Sequence, residues 1–346
     1  MAHGRSAHGG GALRWRGRGP RPPAFAAIDL GTNNCRLLIA EPAREGFRVV
    51  GGYSQIVRLG EGLAATGRLG EAAMERTMAA LTACAERLSF RPVAASRCMA
   101  TQACRAAANG ADFLARVERE LGLAFSIIEP EEEARLAVLG CMGLMDPAAD
   151  AALVVDIGGG STELSWIEAK ASGPAAIRAW ASLALGVVTL AERWPEPRHS
   201  AGRADWFDAM RRDSAEALCG VFGDDETLAR LMGMGKAHII GTSGTVTSLA
   251  GVHLDLARYR RSLIDGVWLA AADCLAASRR LHAMTLAERA RHPCIGPARA
   301  DLVLAGCAIL EAVLARWPSD RVRVADRGLR EGALMTLIAA HQASRP

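Results

Sequence analysis

The fold of this chain is decided by one stretch, Val154-Val155-Asp156-Ile157-Gly158-Gly159-Gly160-Ser161-Thr162-Glu163-Leu164. The apolar run that ends at Asp156 predicts a short buried strand, and the residues after the glycines predict a second strand. Three consecutive glycines remove every Cβ from the turn, so its backbone N–H groups can approach an anion closely. Asp156 at the strand end suits a divalent cation held through water. The stretch predicts a phosphate-binding turn with its metal, or alternatively a glycine-rich hairpin without a ligand.

A second stretch of the same pattern lies about one domain earlier in the chain. Ala27-Ile28-Asp29-Leu30-Gly31-Thr32-Asn33-Asn34 also runs from a strand through an acid into a polar glycine turn, 127 residues before Asp156. Such weak repetition indicates two related units. Turns of this kind could face each other across a cleft and grip one phosphate chain from both sides. A third turn, Gly241-Thr242-Ser243-Gly244, precedes a predicted helix whose amino end suits an anion.

Strands alternate with helices in both halves, which predicts an α/β protein. We expect a tail at 1–23, a first domain at 24–148 and a second at 149–340. The predicted strands are 25–30, 36–40, segments of 47–58, 93–101, 124–128, the two strands of 153–164, 177–182, one ending near Gly241, and 322–325. The predicted helices are 71–88, 102–108, 111–121, one from Pro130, 187–194, 205–222, one after Gly244, 266–281, 299–317 and 328–340.

The composition is that of an ordinary globular protein, with 346 residues, 50% hydrophobic and 23% charged. The net charge of +4 is misleading, because residues 1–23 carry five arginines and no acid and leave −1 for the rest. We therefore expect no nucleic-acid binding by the globular part. We expect the Arg/Gly-rich tail to be disordered, with RNA binding as the alternative. No apolar run approaches the roughly 18 residues of a membrane span.

The nine cysteines include no Cys-x-x-Cys pair, and the histidines show no metal-ligand spacing. This pattern predicts reduced, buried thiols in a cytoplasmic protein and no zinc site.

The first half ends in Glu129-Pro130-Glu131-Glu132-Glu133-Ala134. Pro130 suits a first helical position, and the helix dipole favours acids in the first turn, so this is ordinary chemistry for a helix start. Its place after a predicted strand is also where α/β sheets form their ligand crevice, which makes Glu132 and Glu133 candidate site residues.

Together these motifs resemble the exopolyphosphatase and guanosine pentaphosphate phosphohydrolase (Ppx/GppA) family of the actin, hexokinase and Hsp70 superfold. The resemblance runs from about residue 24 to 340 in the family's order. It also rests on Val57-Arg58-Leu59, Ala100-Thr101 with Arg105 and Asn109, and Leu329-Arg330-Glu331-Gly332. It implies two actin-like (ribonuclease H-like) domains with an active-site cleft between them. The family has Ser-Gly where this chain has Glu129-Pro130.

The resemblance implies hydrolysis of phosphoanhydride bonds in inorganic polyphosphate or guanosine pentaphosphate with Mg²⁺. It makes Glu133 the general base and Glu132 its support, and we expect a carboxylate at a helix start to stay ionised. The implied metal residues are Asp29, Asp156 and Glu163. The implied phosphate-binding residues are Gly31, Thr32, Asn33, Arg58, Arg105, Gly158, Gly159, Gly160, Ser161, Gly241, Thr242, Ser243 and Gly244.

Two other functions stay open on the same superfold. One is an ATP-dependent sugar or acid kinase, which would need an acceptor pocket for which no separate motif is visible. The other is a non-catalytic sensor of guanosine tetra- or pentaphosphate. Preference between polyphosphate and the guanosine nucleotide is also open, and the chain could form a homodimer.

Overall fold

The computed structural model describes residues 22–44, 46–170, 175–197 and 202–344, which contain two mixed β-sheets. The first sheet consists of Phe25–Leu30 (β1), Asn34–Pro42 (β2), Phe47–Ile56 (β3), Ala95–Ala100 (β4) and Phe125–Ile127 (β5). The second consists of Ala151–Ile157 (β6), Thr162–Glu168 (β7), Ala176–Leu183 (β8), Ala237–Thr242 (β9), Trp268–Ala270 (β10) and Arg321–Ala325 (β11). Their strand orders are β3-β2-β1-β4-β5 and β10-β11-β9-β6-β7-β8. The predicted tail lies outside the described residues up to residue 21.

The centres of the two sheets share one topology. β1 pairs antiparallel with β2 and parallel with β4, and β6 pairs antiparallel with β7 and parallel with β9. The hairpin connections β1–β2 and β6–β7 are the two predicted glycine turns, so these turns occupy equivalent places in the two sheets. The predicted α/β fold of two actin-like units is confirmed, with the cleft between the sheets.

Helices cover the faces of both sheets. They are Leu63–Thr66 (α1), Glu71–Phe90 (α2), Gln102–Ala106 (α3), Gly110–Leu121 (α4), Pro130–Cys141 (α5), Val187–Arg193 (α6), Arg203–Ala217 (α7), Thr227–Gly233 (α8), Ser243–His253 (α9), Arg261–Ile264 (α10), Ala271–Ala283 (α11), Leu286–Arg291 (α12), Val303–Arg316 (α13) and Leu329–Ala343 (α14). None of the helices described is both long and apolar enough to cross a membrane.

The central strands are apolar because both of their faces are covered. In β1, Ala26 and Ile28 pack into one hydrophobic cluster with α2 and α4, and Phe25 and Ala27 pack into another with α14. In β6, Leu153 and Val155 face a cluster that includes α13, whereas Val154 faces α5. The hydrophobic alternation of each strand therefore fixes which helix covers which face.

Helices α5 and α14 lie between the two sheets and cross in close contact. A Cβ on Gly140 would lie 2.0 Å from the Gly328 carbonyl oxygen, and a Cβ on Gly332 would lie 2.1 Å from that of Leu136. Although α14 follows the second sheet in the chain, it packs on the first sheet through Leu334 and Ile338. The division at 148/149 remains a prediction, and the sheet contacts place α14 with the first unit.

The prediction of one helix over 266–281 is wrong. Gly266 has a φ of +83°, and Trp268–Ala270 pairs antiparallel with β11 before α11 begins. Pairing with a neighbouring strand overrides the local helical pattern, as tertiary contacts often do. The helix predicted at 205–222 ends at Ala217, because a run of left-handed residues that includes Phe222 follows.

The α5–α14 crossing generates a stability prediction. Gly332→Ala places a methyl group against a backbone carbonyl that cannot turn aside, so we expect a loss of about 1–3 kcal/mol of unfolding free energy. Denaturant unfolding measures it. Gly143→Ala is the control, because a Cβ there meets nothing within 4 Å. Equal unfolding free energies for the two variants would contradict the packing described.

Candidate functional site

Three polar turns meet in the cleft between the sheets. Turn 1 is residues 31–34, turn 2 is residues 158–161, and turn 3 is residues 242–244 at the start of α9. Turns 1 and 2 are closed by the same hydrogen bond, since Gly31 N donates to Asn34 O and Gly158 N donates to Ser161 O, each at 2.9 Å. The repeat noticed in the sequence is therefore a repeat of backbone geometry.

Turns 1 and 2 touch each other. A Cβ on Gly159 would lie 2.9 Å from Thr32 Cβ, and one on Gly160 would lie 2.7 Å from Thr32 Oγ1 and 2.1 Å from Gln102 Oε1. Both positions therefore require glycine because the turns approach so closely.

Four backbone N–H groups of these turns are free. In the part of the chain that the structure describes, the amides of Thr32, Asn33, Gly159 and Gly160 donate no hydrogen bond. The amino end of α9, which begins at Ser243, adds helix N–H groups that have no acceptor within the helix. Free amides from three turns in one cleft form a site for an anion with several oxygens.

A cavity of about 70 Å³ lies between turns 1 and 2. Four carboxylates from different elements line it: Asp29 of β1, Glu133 of α5, Asp156 of β6 and Glu163 of β7. The other predicted residues that line it are Gly31, Thr32, Asn33, Gly158, Gly159, Gly160, Ser161 and Ser243. The structure thus brings together most of the predicted set.

Burial dominates the electrostatics of these carboxylates. It raises the pKa of Asp156 to about 6, with a further contribution from Asp29. It raises the pKa of Glu163 to about 7, together with the charge of Asp156, its cross-strand neighbour, while hydrogen bonds from Ser161 and Ser182 act in the opposite direction. The pKa of Asp29 is raised by burial, and Arg36, which lies opposite it on β2, reduces that rise.

Glu133 lies in the first turn of α5, after Pro130 at the helix start. Burial raises the pKa of Glu133 well above its ordinary value, the charge of Glu163 adds to the rise, and Arg105 opposes it. The Arg105 guanidinium lies 3.4 Å from the Glu133 carboxylate. Burial therefore acts against the helix dipole at Glu133, and the expectation that this carboxylate stays ionised remains a prediction.

The residues present fit a Mg²⁺ ion. Within the described ranges no three acidic, histidine or cysteine side chains form a ready-made metal cluster. Mg²⁺ does not need one, because it keeps several waters and takes one or two carboxylates plus substrate phosphates. Asp29 and Asp156 are hard oxygen donors on the same cavity, and the buried Oδ1 of Asn33 has no hydrogen-bond partner among the residues described.

The cavity continues into a larger chamber of about 380 Å³ that shares Asp29, Asp156 and Ser243 with it. Five arginines line this chamber, and two of them, Arg261 and Arg327, pair with carboxylates. The other three are Arg36, Arg299 and Arg330. None of the three has a carboxylate partner within 4.0 Å in the described structure, and burial lowers the pKa of Arg330. Cations without carboxylate partners beside free amides favour a phosphate chain.

Sequence reasoning did not single out these three arginines as site residues. The available signal was local, since Arg36 comes two residues after turn 1 and Arg330 lies inside the quoted Leu329–Gly332 motif. Arg299 had no such signal, because only folding brings it to the cleft.

Six predicted residues do not line the cavity between turns 1 and 2, for distinct reasons: Glu132, Arg58, Arg105, Gly241, Thr242 and Gly244. Glu132 turns away from Glu133 and forms ion pairs with Arg97 at 2.9 Å and Arg135 at 2.6 Å. Arg58 pairs with Asp301 at 2.7 Å.

Gly241 lies inside β9, where a Cβ would lie 2.8 Å from the Val246 side chain. Arg105 lies beside Glu133, outside the cavity lining, and donates to the Ile128 carbonyl. Thr242 and Gly244 line the larger chamber, and the Thr242 hydroxyl donates to the Arg327 carbonyl at 2.6 Å.

The raised pKa of Glu163 generates a pH prediction. Because the folded state holds this proton more tightly than the unfolded state, ionisation of Glu163 lowers stability progressively between about pH 4.5 and pH 7. Without divalent cations, the unfolding free energy of Glu163→Gln relative to wild type should therefore be roughly 2–3 kcal/mol higher at pH 8 than at pH 4.5. Denaturant unfolding at the two pH values measures this, and a difference that does not depend on pH would contradict it.

Comparison with known proteins finds similarity over most of the chain. Residues 38–341 match the family model described as the Ppx/GppA phosphatase family. Exopolyphosphatase 2 of Mycobacterium tuberculosis is 33% identical, over 90% of this chain and 98% of that protein.

Solved structures agree with the sequence matches. A crystal structure described as an exopolyphosphatase-like protein is 31% identical, with a TM-score of 0.81 over 92% of this chain and 99% of that one. The Ppx/GppA family member of Aquifex aeolicus is 28% identical, with a TM-score of 0.71 over 94% and 99% of the two chains.

Proposed function

Because the chain belongs to the Ppx/GppA phosphatase family, we propose that it is an exopolyphosphatase that releases orthophosphate from inorganic polyphosphate. The observation that carries the proposal is that the free amides of turns 1 and 2 and the Glu133 carboxylate share one cavity. The relative from M. tuberculosis is named for this activity and is similar over nearly its whole length, which supports the choice of substrate.

The amides, arginines and carboxylates of the site have separate roles in phosphoryl transfer. Free amides of turns 1 and 2 hold the terminal phosphate, so that charge developing on its oxygens meets fixed donors. Arg36, Arg299 and Arg330 neutralise the phosphates that follow in the larger chamber. Asp29 and Asp156 would hold Mg²⁺, which supplies positive charge at the phosphate oxygens when bound.

Glu133 acts on the attacking water in this proposal. Its carboxylate orients the water and accepts a proton, which requires the ionised form. Arg105 at 3.4 Å favours that form, and any cation bound among the four carboxylates favours it further. Activity should therefore rise with pH as Glu133 loses its proton.

Guanosine pentaphosphate is the second candidate substrate. The larger chamber of about 380 Å³ extends beyond the cavity of the free amides, and Tyr259, whose hydroxyl donates to Asp326 at 2.6 Å, lies on its wall. An aromatic ring on a chamber that also holds unpaired arginines suits a nucleoside that carries phosphates.

We predict that Glu133→Gln lowers the rate of phosphate release by roughly 10²- to 10⁴-fold, because the amide cannot accept the proton of water. Glu132→Gln is the matched control, since this neighbouring carboxylate is held by Arg97 and Arg135 outside the cavity. Steady-state release of orthophosphate from polyphosphate measures both variants. Full activity of Glu133→Gln, or equal loss in Glu132→Gln, would show that the base is assigned wrongly.

A substrate panel tests the reaction itself. Purified protein with Mg²⁺ should release orthophosphate from short or long polyphosphate, and from guanosine pentaphosphate if the larger chamber accepts a nucleoside. Transfer from ATP to a sugar or acid without polyphosphate hydrolysis would identify a kinase. Tight binding of the guanosine nucleotide without turnover in any divalent metal would identify a sensor.

A further inference from the structure

The loop of residues 57–62, between β3 and α1, is attached to turn 1. Asn33 O accepts hydrogen bonds from Val57 N at 2.9 Å and Arg58 N at 3.1 Å, and Thr32 O accepts one from Gly60 N at 2.9 Å. Arg58 has a φ of +50°, which few residues other than glycine adopt. The loop therefore moves with turn 1, and its unusual backbone sets the direction of the Arg58 side chain.

The Arg58 side chain reaches across the cleft instead of into the cavity. Its Nη2 lies 2.7 Å from Asp301 Oδ1 and donates to Ala298 O at 3.2 Å. Asp301 lies in the chain between Arg299 and Leu302, which line a small pocket of about 40 Å³ together with residues of all three turns. This ion pair thus joins turn 1 to the segment that carries Arg299.

A second contact joins the same loop to turn 2. Gly62 N donates to Glu192 Oε1 on α6 at 2.8 Å. The start of α6 is in turn bonded to turn 2, since Val187 N donates to Gly158 O at 3.0 Å and Val188 N donates to Gly159 O at 2.8 Å. Through these bonds, the separation of turns 1 and 2 depends on the position of one loop.

We propose that Arg58 is a positioning residue that acts through Asp301. Arg58, Asp301, Gly62 and Glu192, which we call the clasp, hold turns 1 and 2 at the spacing at which both contact one phosphate chain. The role in substrate binding rests on the proposed function, whereas the clasp itself rests on the contacts above.

The expected effect is modest. The side chains of Arg58 and Asp301 are 29% and 41% exposed, and an ion pair this exposed shifts an equilibrium by about fivefold at most. A shift of that size leaves the protein folded and still changes substrate affinity measurably.

Removing either partner of the ion pair tests the proposal. Arg58→Gln and Asp301→Asn should each raise KM for polyphosphate about two- to fivefold with kcat changed less than twofold, and the double variant should add little. If Arg58 instead bound phosphate, Asp301→Asn would free it and remove a nearby negative charge, so KM would fall. Opposite signs for the two single variants would overturn the proposal.

Asp255→Asn is the matched control. Arg280 pairs with Asp255 at 3.1 Å and donates to Val252 O at 3.3 Å, which repeats the chemistry of the clasp without joining the two sheets. We expect KM to be unchanged in this variant. A rise equal to that in Asp301→Asn would also overturn the proposal.

Hydrogen exchange gives a readout that needs no activity. Asp301→Asn should speed amide exchange in residues 57–62, including the Gly62 amide that donates to Glu192, whereas Asp255→Asn should not. Unchanged exchange in Asp301→Asn would reject the clasp while leaving the proposed hydrolysis intact. Faster exchange without hydrolysis of any substrate would support the clasp and reject the proposed function.

Discussion

The close approach of turns 1 and 2 is the constraint on which the site depends. With Gly159 and Gly160 packed against Thr32, the two sheets meet closely enough for amides from both turns to reach one ligand. Any side chain at these glycines would push the sheets apart. The α5–α14 crossing adds a second close approach between the units, where Gly140 and Gly332 lie against backbone carbonyls.

This geometry has an electrostatic cost. Bringing the strand ends together buries Asp29, Asp156 and Glu163 near Glu133, and burial raises the pKa of all four groups. The charges of neighbouring site carboxylates add to the rise for Asp156, Glu163 and Glu133. Sites whose pKa values are raised in this way are often functional, because a bound cation or substrate offsets the repulsion between the carboxylates. A phosphate chain that arrives with Mg²⁺ would bring positive charge to the carboxylates and negative charge to the unpaired arginines.

Much of the fold is predictable from short stretches of sequence, because strand ends, glycine turns and helix starts are each marked by neighbouring residues. Apolar strands ending in Asp29 and Asp156, followed by glycine turns, predict both hairpins, and Pro130 marks the start of α5 correctly. The packing of α14 on the first sheet is not predictable in this way, because the residues of this helix do not indicate which sheet it packs on. The strand at 268–270 was missed for the same reason.

Side-chain direction was the least predictable part of the site. Glu132 and Glu133 are adjacent and chemically alike, yet Arg97 and Arg135 hold one outside while the other enters the cavity. Arg58 has a partner 243 residues away, which no local pattern reveals. The larger chamber likewise gains Arg299 only through tertiary folding.

We infer that turns 1 and 2 bind one phosphate chain together, beside Glu133. A crystal structure of Glu133→Gln with tripolyphosphate and Mg²⁺ tests it most directly. We expect one chain whose terminal phosphate accepts hydrogen bonds from the amides of both turns, with the remaining phosphates beside Arg36, Arg299 or Arg330. Phosphates bound to a single turn, or outside the cleft, would contradict it.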